Sequence, residues 1–373
     1  SALVVYDDNI YVVSQSLTEG DNTLAVFQRN ILTGAVSFLE LHRQNQLGVS
    51  GLFGASDVEV TSDGSHVYAV GRTPGSLAVF TRDGGNDGRL TFKESKIAGV
   101  GGIVGLQGAQ GLALSSDDRH VYVTAAVDDA IAVFERNTDG GDVANFGRVT
   151  QIQVVDGIPG LDRAMEIAAS SDASDTAGSR HLYVTGHTAD SLLVFDRNVE
   201  LASDDFGQLT LVQSFKDGVD GVDGLNGARA VAVSPDGKNV YVAAEDDDAV
   251  AVFAREVTGG TLVFVEAAFD GQNGVDGIDQ AFGIAISPNS REAYIAGFGD
   301  DAIALFRRAS GSRCTGAGVG TLLDTGVEIA AGGQVVYTVN ATIDPGATGY
   351  LINEAYVTVP SAIQEPGPDS NGL

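Results

Sequence analysis

A stretch of thirteen residues recurs five times along this chain, and the recurrence leaves few folds open. The copies read GVSGLFGASDVEV (48–60), GIVGLQGAQGLAL (102–114), GIPGLDRAMEIAA (157–169), GVDGLNGARAVAV (221–233) and GVDGIDQAFGIAI (274–286). They start 54, 55, 64 and 53 residues apart. A near-constant period of this length marks a repeat architecture, in which one supersecondary unit stacks on the next.

Each copy opens on a glycine-rich turn and passes into an alternating apolar run. The run ends in TSDG, SSDD, SPDG or SPNS, which is turn chemistry. A second run follows: HVYAVG, HVYVTA, HLYVTG, NVYVAA, EAYIAG. The third is LAVFTR, IAVFER, LLVFDR, VAVFAR, IALFRR, and the fourth RLTFKES, RVTQIQV, QLTLVQS, TLVFVEA. The N-terminus adds one more unit, ALVVYDDNIYVV with LAVFQR and AVSFLEL, without the leading turn. Six sets of first-to-third strands result, and the fourth strand is missing after IALFRR. Long helical patterns are absent, so the class is all-β. Four antiparallel strands per unit without crossover helices describe propeller blades. Tyr11, Tyr68, Tyr122, Tyr183, Tyr241 and Tyr294 hold one position in the second strand. Phe27, Phe80, Phe134, Phe195, Phe253 and Phe306 hold one position in the third. Rings at fixed positions are what blade-on-blade packing requires. The expected fold is a six-bladed β-propeller over residues 1–309, with seven blades left open.

The run SPDGKNVYVAA, AVAVFAR, GTLVFVE resembles the bacterial lactonase-type propellers with YVTN-like repeats, over about residues 2–309. The resemblance implies the propeller fold. Relatives include 6-phosphogluconolactonase-like enzymes, usually seven-bladed, and many surface proteins, and fold alone does not choose between them. Residues 310–373 form a second part, with strands expected at 321–330, 334–343 and 350–359. CTGAGVGTLLDTGVEIAAGGQVVYTV, ATGYLINEAYVTVP and PGPDSNG resemble half of an immunoglobulin-like bacterial cell-surface repeat (domain of unknown function 11). Three strands with open edges invite pairing. They could complete the sixth blade, belong to a fragment of a longer chain, or be donated to a neighbouring subunit.

Only 21 Lys and Arg face 50 Asp and Glu, a net charge of −29. Such a surface repels nucleic-acid backbones and anionic lipid, so neither is an expected partner. No apolar run is long enough to insert in a membrane. The single cysteine, Cys314, rules out an intramolecular disulfide or a cysteine metal cluster. No nucleophile elbow, P-loop, dinucleotide fingerprint or HExxH motif occurs.

In a four-stranded antiparallel blade, the turn before the first strand and the turn after the second share one face. That face collects many aspartates. Oxygen-rich, glycine-containing loops suit calcium, and Asp217, Asp220, Asp223, Asp270, Asp276 and Asp279 are the candidate ligands. The competing reading is a solvated acidic rim, since no EF-hand spacing is present and two copies of the turn lack acids. No other cofactor is expected. His66, His120 and His181 share one slot before the recurring tyrosine, which argues for a structural role. The residue after the turn's alanine varies: Ser56, Gln110, Met165, Arg229, Phe282. Variation in a regular register marks side chains aimed at the channel mouth. A lactonase needs cations for an oxyanion and a base for water. Arg72, Arg163, Glu166, His187 and Arg229 could supply them. The sequence ranks a secreted or cell-surface structural and adhesive role first, with partners among copies of itself, other surface proteins or glycans. A lactone hydrolase working at the central channel ranks second.

Overall fold

The structure is a computed structural model, and it describes residues 2–15, 22–85, 87–170, 180–257 and 259–308. Among these residues there are only strands and turns. They form six sheets in chain order, each an antiparallel meander. Blade one is built from Ala2–Tyr6, Asn9–Ser14, Thr23–Arg29 and Val36–Arg43. Blade two follows with Ala55–Val60, His66–Gly71, Ser76–Asp83 and Arg89–Ile97, and blade three with Ala109–Leu114, His120–Ala125, Ala130–Arg136 and Val149–Val155. Blade four comprises Ala164–Ala169, His181–Gly186, Ser191–Arg197 and Leu209–Lys216. Blade five comprises Ala228–Val233, Asn239–Ala244, Ala249–Arg255 and Leu262–Phe269. Blade six has three described strands, Ala281–Ile286, Glu292–Gly297 and Ala302–Arg307. The expected six-bladed propeller is the observed one. The immunoglobulin-like part and its strands at 321–359 lie outside the described residues.

Alternation along each strand explains the packing. Side chains one apart point to opposite faces of a blade, so each blade meets its two neighbours through different residues. Tyr68, Val70, Leu77 and Val79 of blade two pack against Val121, Val123, Ala132 and Phe134 of blade three. The tyrosine face of one blade thus meets the phenylalanine face of the next, and the scheme repeats at the other junctions.

A polar staple reinforces this seam. The Tyr68 hydroxyl donates to the Gly147 carbonyl oxygen at 2.7 Å and accepts from Arg136 Nε at 3.0 Å. Tyr11 does the same with Gly88 and Arg82, and Tyr183 with Gly260 and Arg255. Tyr122 donates to Gly207. The glycine is required for a second reason. Gly147 has φ +81° and a Cβ there would collide with the His66 ring; Gly207 stands in the same relation to His120. His66, His120 and His181 are buried, and their Nδ1 atoms lie 3.0, 2.9 and 3.3 Å from Arg136, Arg197 and Arg255.

The first strands pack successively from blade one to blade six. Among the described residues, the first strands of blades six and one are not a closely packed pair. Tyr294 is 42% exposed, where Tyr11, Tyr68, Tyr122 and Tyr183 are fully buried.

Candidate functional site

The inner strands wall a cavity of about 810 Å³ along the propeller axis. All five residues of the variable slot, Ser56, Gln110, Met165, Arg229 and Phe282, line it. The cause is a bulge. The register between first and second strands slips just after the alanine, between Ala55 and Asp57, Ala228 and Ala230, Ala281 and Gly283. A residue expelled from the ladder is re-aimed, here into the channel. In blades three and four the slip spans two residues, Gln110–Gly111 and Met165–Glu166. Threonines of the second strand satisfy the freed amides. Gly111 N–H donates to Thr124 Oγ1 at 2.8 Å and Glu166 N–H to Thr185 Oγ1 at 3.1 Å.

Glu166 occupies space that Gly111 leaves. A Cβ at position 111 would lie 2.8 Å from Glu166 Oε1 and 2.7 Å from the Met165 carbonyl oxygen. Two further acids share the wall, Asp57 and Glu59. Each of the three is enclosed by the inner strands yet half-buried, because one side borders the channel. Burial pushes the Asp57 carboxyl up to about 6, against amide bonds from Val58 and Leu112, both 2.8 Å. Burial, then the Asp57 charge, pushes Glu59 up to about 8. Burial raises Glu166 well above the ordinary range; Asp57 and Glu59 add to this, while Ile167 N–H and Arg229 oppose it. Carboxyls displaced toward neutral pH can exchange protons with a substrate.

Guanidinium groups gather beside these acids. Arg72 and Arg229 line the cavity. Burial, then repulsion from Arg229 and Arg163, lowers the Arg72 pKa, and its Nε has no hydrogen-bond partner. Arg229 lies over the Phe282 ring, 3.5 Å from the centroid, and is paired with Glu245. His187 Nε2 is 3.3 Å from the same carboxylate oxygen. Burial works against the Glu245 carboxylate, but Arg229 and His187 outweigh it and hold its pKa below the usual value. Arg163 stands in the turn before blade four, its N–H bonded to Asp129 at 2.7 Å. It does not line the cavity.

The sequence-derived residues therefore separate. Arg72, Glu166 and Arg229 share the cavity, His187 reaches it through Glu245, and Arg163 acts from the rim by its charge. Asp57, Glu59 and Glu245 were missed. The signal for Glu166 was present in Thr124 and Thr185, which mark the two blades with the wider bulge.

The aspartates assemble in two groups, Asp217–Asp223–Asp247 and Asp270–Asp276–Asp300. The second repeats the first 53 residues on. Asp220 and Asp279 fall outside the groups, and Asp247 and Asp300 replace them. These carboxylates accept backbone amides: Asp217 from Leu225, Asp247 from Asn226, Asp270 from Ile278 and Asp300 from Asp279. Tying loops is a sufficient account of them.

A family model described as "Lactonase, 7-bladed beta-propeller" matches residues 8–153 and 107–276. No curated protein sequence matches. Among solved structures, the chain is similar to a proposed 6-phosphogluconolactonase of Bacteroides fragilis, with 19% identity and a TM-score of 0.62 over 82% of this chain and 79% of that one. One from Bacteroides uniformis gives 19% and 0.60, over 81% and 78%. A periplasmic gluconolactonase of Pseudomonas aeruginosa gives 18% and 0.58, over 81% and 78%. At these identities the structures agree in fold.

Proposed function

The chain belongs to the lactonase family of β-propellers, and from that premise we propose that it hydrolyses a sugar-acid lactone in its central channel. The observation that carries the reading is the meeting, in one cavity, of a carboxyl that burial raises well above its ordinary range with two guanidinium groups, Arg72 with no partner at Nε and Arg229 paired with Glu245. Glu166 is the proposed base, and Arg72 and Arg229 are the proposed oxyanion and substrate-binding groups.

In this mechanism ionised Glu166 takes a proton from water as the water oxygen bonds to the lactone carbonyl carbon. The carbonyl oxygen gains negative charge beside Arg229 and Arg72, where fixed cations stabilise it more than bulk water would. The tetrahedral intermediate then collapses, the ring C–O bond breaks, and Glu166 returns its proton to the departing alkoxide. The products are one hydroxy acid and no leaving group. Arg163 at the rim draws in an anionic substrate against the acidic face. The order in which the sequence alone ranks surface assembly and hydrolysis is thereby reversed, because family membership supports the second.

Proton release from aldonic δ-lactones, with and without a phosphate group, tests the reading. Turnover above the spontaneous rate is expected. It should rise with pH through the raised pKa of Glu166, since only the ionised form can accept the proton. Glu166→Gln should lower kcat by about 10²-fold or more, and Arg229→Ala should lower kcat and raise KM together. Rates equal to the enzyme-free hydrolysis for all these lactones would overturn the proposal.

A further inference from the structure

We propose that Thr124 and Thr185 are positioning residues of the channel: their hydroxyls clamp the two ends of the peptide unit joining Met165 to Glu166, and Thr185 ties that unit to Arg229. The inference rests on the hydrolytic reading, in which Glu166 is the base and Arg229 an oxyanion group. The clamp grows out of the bulges. In blades two, five and six the next-to-last residue of the second strand is Val70, Ala243 or Ala296, and its backbone pairs with Asp57, Ala230 or Gly283 of the first strand. In blades three and four that position is Thr124 or Thr185, and the backbone ladder skips it. Glu166 is thereby detached from the ladder, and a side-chain oxygen takes over its amide.

Both threonines are fully buried. Gly111 N–H donates to Thr124 Oγ1 at 2.8 Å, and the Thr124 hydroxyl donates to the Met165 carbonyl oxygen at 2.6 Å. At the other end of that peptide bond, Glu166 N–H donates to Thr185 Oγ1 at 3.1 Å. The Thr185 hydroxyl then donates to the Arg229 carbonyl oxygen at 3.1 Å. The Gly111 and Glu166 carbonyl oxygens lie farther from these hydroxyls, at 3.4 and 3.5 Å. A hydroxyl has one proton to give, and in each case the nearer acceptor is on the next blade. The four bonds run in one direction from blade three to blade five, so each polarises the next. With both ends of its peptide plane pinned, Glu166 leaves the backbone in one direction, into the channel. A reacting group misplaced by about 1 Å can cost on the order of 10²-fold in rate, so the clamp bears on the rate as well as on the fold.

Lactone kinetics of the full chain, with valine and serine variants at both positions, are the measurement. Thr124→Val acts on the Glu166 peptide alone and should lower kcat by about 10-fold with KM unchanged. Thr185→Val also frees the Arg229 backbone, so kcat should fall and KM rise. Thr124→Ser and Thr185→Ser keep the hydroxyl and should restore most of the rate. Tyr68→Phe, which weakens a junction outside the channel, should leave kcat unchanged. Retention of kcat in both valine variants, serine variants no faster than valine, or an equal loss in Tyr68→Phe each overturns the inference. A wild type without turnover overturns the hydrolytic reading instead. A ¹³C NMR titration of the Glu166 carboxyl, assigned with Glu166→Gln, then decides the inference. That carboxyl feels Asp57, Glu59 and Arg229, so a displaced Glu166 titrates at a changed pH. A midpoint moved in Thr124→Val and restored in Thr124→Ser supports the clamp, and an unmoved one overturns it.

Discussion

Position 163 shows how a single residue departs from its repeat. The equivalent places in blades two, three and five are Gly54, Gly108 and Gly227, all at φ near +70°, and Arg163 adopts φ +55°. A left-handed backbone disfavours any residue with a Cβ by roughly 1–2 kcal/mol. Part of that gain returns as unfolded-state entropy when glycine is installed. Arg163→Gly should therefore raise stability by about 0.5–1 kcal/mol in denaturant melts while raising KM for an anionic lactone. Unchanged KM would detach Arg163 from the site. Glu59 gives a pH signature. Its carboxyl titrates near 8 in the fold against 4.5 as a free group, so the folded state binds the extra proton between those values. Stability contributed by the neutral form is complete below pH 4.5 and is lost as pH rises toward 8. Glu59→Gln should raise the melting temperature at pH 9 by more than at pH 5. Equal shifts at both would show that the carboxyl carries no such penalty. Asp57 and Glu59 were hard to read because most of their repeat equivalents are small. Asp57 stands where blades three, five and six have Gly111, Ala230 and Gly283, and Glu59 where blades three to six have Ala113, Ala168, Ala232 and Ala285, so no recurring pattern marks them.

Among the elements, the second strand carries most of the junction. Its tyrosine gives apolar area to one neighbour, its hydroxyl reaches a glycine just before that neighbour's fourth strand, and its histidine fills the space that glycine leaves. Tyr68→Phe keeps the ring and removes bonds to Gly147 and Arg136, so a cost of about 1–2 kcal/mol is expected. In a domain of this size that corresponds to a fall of several degrees in melting temperature. No change would mean that water replaces both bonds. Burial first, then the neighbouring arginine, pushes His66 and His120 down to about 4 from 6.5. The unfolded chain then takes up protons that the folded one refuses between those values. This stabilisation is whole above pH 6.5 and is lost as pH falls toward 4. The recurring tyrosines and histidines were legible from their register. Arg82, Arg136, Arg197 and Arg255 recur just as regularly at the end of the third strand, yet their partners lie 68 to 77 residues away, so only the fold shows what they bond.

Taken as a whole, the molecule holds a large negative charge on a ring of blades. Repulsion from the excess of 50 acids over 21 bases weakens the compact state and is screened within about 10 Å at 0.1 M salt. The melting temperature should rise between about 20 mM and 1 M NaCl at pH 8. A flat or falling curve would show that local pairs such as Arg197–Asp117 and Arg308–Asp236 dominate the balance. The sequence by itself determined six repeating strand sets, with a seventh blade left open, the order of strands and the recurring positions of tyrosine and phenylalanine. Those depend on strand alternation and on a short repeat, which are local properties. Only the tertiary structure decided which side chains share the channel and which aspartates stand together. Bulges one or two residues wide turn Glu166 and Arg229 inward, and the GVDGLNGARAVAV turn gains its chemistry only when inner strands from successive blades face one axis.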